Sequence, residues 1–117
     1  MNITLTSKLI ANRVEEDSAF NVTAKFYDDS TDPWTLSAPT TVRYKVVCLS
    51  TGNTMVDWTS ATPATSVTLP MTSAANAVNA NWRPYERREL TVQANAGLST
   101  QYAATYRWLV TNPLGIE

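Results

Sequence analysis

Apolar and polar residues alternate with a period of two along most of this chain. Phe20, Val22, Ala24 and Phe26 point one way, and Asn21, Thr23, Lys25 and Tyr27 point the other. Such alternation predicts a strand with one face buried and one face wet. The same signature predicts strands over 2–9 (Ile3, Leu5 and Leu9 sharing one side), 41–49 (Val42, Tyr44, Val46 and Cys48 inward) and 54–59 (Val56 and Trp58 on one face). It also predicts strands over 66–72 (Val67, Leu69 and Met71 inward), 86–94 (Leu90, Val92 and Ala94 inward) and 102–111 (Tyr102, Ala104, Tyr106, Trp108 and Val110 on one side).

Turn chemistry separates these runs. "DDSTDPW" (28–34) combines Asp, Ser and Pro, with Asp as a local hydrogen-bond acceptor. "STGN" (50–53) reads as a hairpin loop in which Gly52 takes a positive φ. Pro70 lacks an N–H and so belongs on an edge strand or a strand end. Ser73 is the expected cap of a brief helical turn in "AANAVNAN" (74–81), which "WRP" stops. Two connections are long, 28–40 and 72–84. The second is expected to carry the chain from one sheet to another.

Seven short strands at this spacing predict an all-β fold, an immunoglobulin-like β-sandwich of about seven antiparallel strands. A small jelly roll or a partial barrel is the alternative. With 117 residues, no linker and no internal repeat, a single domain over 1–117 is expected. Residues 1–13 read either as the first strand of the sandwich or as an extended arm laid on a neighbour.

Charged residues make up 16% of the chain, below the usual ~25%, and Thr, Ser, Asn and Ala take their place. The net charge is −1 with Lys and Arg scattered, which argues against nucleic acid and against a polybasic membrane anchor. No stretch reaches the ~20 apolar residues of a membrane-spanning helix, and "MNITLTSKLI" does not read as a signal peptide. Cys48 is the only cysteine, so no intrachain disulfide is expected, and the chain is expected to fold in a reducing cytoplasm.

The chain has no histidine, which removes Ser-His-Asp and Cys-His catalysis and imidazole metal sites. In "ERRE" (86–89), Glu86 and Glu89 lie beside Arg87 and Arg88. Neighbouring guanidinium groups favour the ionised carboxylate, the opposite of what a general acid needs. Glu86 and Arg88 share one face and Arg87 and Glu89 the other; one pair is expected toward solvent, the other at the strand end before the core begins. "DDSTDPW" lacks the Gly and the distal Glu of a calcium loop. Only three glycines are present and none form a phosphate loop. No catalytic, cofactor-binding or metal-binding residue is therefore assigned, no cofactor is expected, and the chain is read as not an enzyme.

Of four tryptophans, Trp58 and Trp108 follow the apolar parity of their strands and are expected in the core. Trp34 and Trp82 sit in the long connections, as lids, ligand platforms or interface anchors. The candidate interface residues are Trp34 and Trp82 with Ile3, Leu5 and Leu9.

The segments "RYKVVCLSTGNTMVDWTS", "TSVTLPMTSAANA" and "ERRELTVQAN" resemble a group of small phage-encoded proteins, over about residues 19–115. The resemblance implies an immunoglobulin-like sandwich in a virion structural protein, assembled in the host cytoplasm. The leading expectation is a capsid decoration or cement protein that binds the major capsid protein shell as a homo-oligomer or high-copy assembly. A neck or tail accessory protein is one alternative. A carbohydrate-binding or adhesion module of a tail or fibre is another. Unlike antibody domains, the chain has no inter-sheet cysteine pair, and Tyr44 stands where a core Trp is usual.

Overall fold

The computed structural model describes residues 1–9, 12–30, 32–77 and 85–111. Their strands are β1 (Asn2–Ser7), β2 (Arg13–Glu15), β3 (Phe20–Asp28), β4 (Thr35–Leu36), β5 (Val42–Cys48), β6 (Thr54–Ala61), β7 (Ser66–Met71), β8 (Tyr85–Ala94) and β9 (Tyr102–Thr111). A single 3₁₀ turn spans Ser73–Asn76. All seven expected strands are present. The short β2 and β4 are additional.

The strands form two sheets. One has the order β2-β9-β8-β5-β6. In the other, β1 pairs one edge of β3, while β7 and β4 share its opposite edge. The chain changes sheet at five connections, and the long 72–84 connection between β7 and β8 is one of them, as expected. This is the order of an immunoglobulin-like sandwich. All pairings are antiparallel except β2 with β9, which is parallel. The chain reaches that position by leaving the sheet of β1 and entering the other sheet within a few residues. Asn12, at the entry, has φ 53°, a conformation that Asn tolerates better than most residues.

Alternation converts directly into a core. Val22, Ala24 and Phe26 of β3 face Val42, Val46, Leu90, Val92 and Val110 of the other sheet, all essentially without exposure. Each such Val, Leu or Phe contributes about 1.5–3 kcal/mol by leaving water. Trp108 closes one end of the core, with its ring 5.2 Å from Phe20 in an edge-to-face contact. Tyr44 lies in the core on β5. Gly52 turns the β5–β6 hairpin at φ 82°, as its position requires.

Two local expectations fail. Trp58 is not a core residue but is 37% exposed. The β5–β6 register slips twice: Tyr44 pairs Thr59 but Val46 pairs Val56, and Val47 then pairs Thr54. Each slip inserts an extra residue in β6, and the first turns Trp58 away from the core. Ser73 does not cap the helical turn. The residue before the turn is Thr72, whose side chain makes no capping bond, and Ser73 is its first residue.

Candidate interaction surfaces

The "ERRE" residues lie in β8, all four paired with β9 and Arg88 and Glu89 paired with β5 as well. Period two sends Arg87 and Glu89 outward and puts Glu86 and Arg88 inward, both with no exposure. The Arg88 Nη1 lies 3.0 Å from Glu86 Oε1 and donates to Cys48 Sγ at 3.0 Å. Its Nε donates to the Ala75 carbonyl at 3.0 Å and its Nη2 to the Ala77 carbonyl at 2.6 Å. Cys48, whose thiol lies 3.8 Å from Glu86 Oε1, is buried here as a small core residue.

Beside this cluster Asn76 is also fully buried. It accepts from Trp108 Nε1 at 2.8 Å and donates through Nδ2 to the Ser18 carbonyl at 2.6 Å. Its own carbonyl accepts from the Asp17 amide at 3.1 Å. Residues 75–77 are thus stitched to β8, β9 and the β2–β3 link by buried and part-buried hydrogen bonds. A charge buried in this way must be paired and its donors filled. The cluster meets that demand with the carbonyls of Ala75 and Ala77, so it positions the chain.

The outer faces are where the molecule meets its surroundings. On the five-stranded sheet, Arg43 Nε donates to Gln93 Oε1 at 2.8 Å, and Arg107 Nε donates to Glu89 Oε2 at 2.7 Å across β8 and β9. Trp58 lies flat against this face. The Arg43 guanidinium sits 4.2 Å from its ring centroid and the Lys45 ammonium 5.7 Å away. Two hollows adjoin at the β8–β9 end and share Arg87 and Leu109 as a wall. One, of about 360 Å³, is bounded by Leu49 and Arg107, and the other, of about 460 Å³, by Arg13 and Tyr85. Leu49 and Tyr85 are 42% and 47% exposed.

The opposite sheet presents a Thr-rich face that carries Lys25 and a hollow of about 560 Å³ lined by Thr6, Lys8, Asn21, Thr23 and Thr68. Thr6 pairs Thr23, which pairs Thr68, and Thr4 pairs Lys25 and then Ser66. At the far end of β3, Asp28 Oδ1 accepts from the Ser30 hydroxyl at 2.6 Å and from its amide at 3.0 Å. These bonds, the hydroxyl's first, hold the Asp28 carboxyl below its ordinary value of 3.8. The start of "DDSTDPW" therefore behaves as a turn with a local acceptor.

The candidate interface residues do not share one surface. Trp34 is half exposed, and its ring is 6.1 Å from Tyr27 at a 52° tilt. Ile3 faces the core and offers nothing to a partner while β1 stays paired. Leu5 and Leu9 are partly buried against the same core. Trp82 lies outside the described residues. The exposed Leu49 and Tyr85 and the wall residue Leu109 were not singled out by sequence, and Arg87 was named only as a member of the "ERRE" pairs. Their only signal was outward parity on strands that otherwise alternate cleanly.

These features define an immunoglobulin-like β-sandwich with a Thr-rich face on one side and a mixed arginine and apolar face on the other. Comparison with protein-family models, with curated proteins and with solved structures found no match.

Proposed function

We propose that the protein is a phage virion structural protein that decorates the capsid, binding across subunits of the major capsid protein. The observation that carries this reading is the outer face of β8 and β9, where Leu49, Tyr85 and Leu109 stand beside Arg13 and Arg87 around two adjoining hollows. Apolar side chains interleaved with arginine are the composition of a protein contact. The buried stitching beneath the crossover keeps that end of the sheet rigid, which lowers the ordering cost of binding. The resemblance of the β5–β6, β7 and β8 segments to small phage-encoded proteins supports the virion setting.

Quantitative mass spectrometry of purified particles, separated into heads and tails, tests this. Copy number near that of the major shell protein in heads is the expected result, with Leu49→Asp and Leu109→Asp reducing incorporation. A handful of copies confined to tails or necks points to an accessory role there. Absence from particles overturns the reading.

A further inference from the structure

The free edges of the two sheets are not alike. On the five-stranded sheet, β6 is broken by two register slips, and the opposite edge strand, β2, is three residues long. On the other sheet, β7 carries Pro70 and β4 is two residues long. Bulges, proline and brevity are the devices that stop one sheet from pairing with another. The part of β9 that β2 leaves uncovered carries the charge of Arg107, and its Tyr106 hydroxyl is bonded to Ser7 Oγ.

β1 has none of these devices. Its six residues, Asn-Ile-Thr-Leu-Thr-Ser, contain no charge, proline or glycine, and its pairing with β3 runs without a slip. Among the described residues its outer edge has no strand partner. In an antiparallel pair, alternate residues direct their N–H and C=O away from the partner, so this edge presents donors and acceptors; the Ile3 N–H donates to Asn2 Oδ1 at 2.8 Å, a side chain that a second strand would displace. The strand is also held in place. Ile3 is in the core, Leu5 packs against it, and Ser7 is tied to Tyr106, which in turn donates to Asn12 Oδ1 at 2.8 Å. An edge already fixed in extended form loses little freedom on pairing.

We propose that this edge pairs antiparallel with the β1 edge of a second copy of the chain, joining two sheets across a two-fold axis. Parity selects the register. Opposed residues must point to the same side, so with Leu5 on the axis Ile3 faces Ser7 and Thr4 faces Thr6 of the second copy. Lys8 then lies across from the neutral Asn2, and the adjacent Met1 ammonium is already paired with Asp29. The contact is self-complementary, as a two-fold contact must be. It involves about six residues a side, fewer than the ~20–30 of a standard interface, so a weak, concentration-dependent dimer is expected. The proposal does not depend on the virion reading.

Sedimentation velocity on the purified chain, from micromolar to near-millimolar concentration, tests it. Thr4 and Thr6 are exposed, so Thr4→Lys/Thr6→Lys should leave circular dichroism and the melting temperature unchanged. It places lysines opposite lysines and should weaken the dimer about tenfold or more. Mixing that variant with Thr4→Glu/Thr6→Glu should restore a heterodimer. A wild-type chain that stays monomeric throughout overturns the proposal. So does a dimer that survives the lysine substitutions, or a mixture of folded charge-swapped variants that fails to associate.

Discussion

Replacing Arg88 by Met tests the role of the buried cluster. The substitution keeps an unbranched chain of similar length and removes only the guanidinium. Glu86, with no exposure, then loses the cation 3.0 Å from its carboxylate, and the carbonyls of Ala75 and Ala77 lose donors at 3.0 and 2.6 Å. Removing one partner of a buried charge pair costs up to about 3–5 kcal/mol. Each buried carbonyl without a donor adds about 1–3 kcal/mol unless water reaches it. Against a total stability of about 5–15 kcal/mol for a domain of this kind, Arg88→Met should leave the chain marginally folded. Neutralising the Glu86 carboxylate should recover part of the loss. Glu86→Gln/Arg88→Met is therefore expected to be less destabilised than the sum of the two single variants, by about 1–3 kcal/mol. Urea denaturation followed by tryptophan fluorescence measures all four proteins without adding salt. An Arg88→Met variant within about 1 kcal/mol of wild type, together with a coupling below about 0.5 kcal/mol, would refute the reasoning.

The two strand tryptophans should separate in the same assay. Trp108→Phe strips Asn76 Oδ1 of its donor in a buried site and should cost about 1–3 kcal/mol, while Trp58→Ala loses an exposed stack on Arg43 and should cost about 1 kcal/mol or less. Tyr102 has a buried hydroxyl with no hydrogen-bond partner among the described residues, so Tyr102→Phe should raise stability by about 1 kcal/mol. Burial also raises the Tyr102 pKa above its ordinary value of 10.0. Above that value the unfolded phenol ionises before the folded one, so wild-type stability should fall as pH rises, and the Phe variant should lack that component of the fall. Urea midpoints on either side of pH 10.0 measure it, and identical slopes for the two proteins would contradict it.

Much of the sandwich was legible because burial follows parity wherever the ladder is unbroken. Val42, Tyr44, Val46 and Cys48 were all placed correctly by counting in twos. The count failed at Trp58, because a bulge adds a residue without changing the local vocabulary of Thr, Val and Trp. β2 was invisible for another reason. Three residues hold no periodicity, and their partner Leu109–Thr111 lies at the far end of the chain. Parity did put Glu86 and Arg88 on the side of Leu90 and Val92, but charge argued for a strand end outside the core. Their burial depends on carbonyls supplied by the crossover and on Cys48 from β5, partners no local pattern reveals. The surface around Arg87 and Leu109 arises from strands brought side by side, so its residues are adjacent only after folding.

The parallel pairing of β2 with β9 has a mechanical side. Tension entering at the start of β2 and leaving at the end of β9 draws the two strands past each other along their length. Their rungs are then stressed together instead of opening one after another like a zipper. The molecule thereby gains a grip along the direction of pull, seated where the chain passes from one layer to the other on both sides of β2.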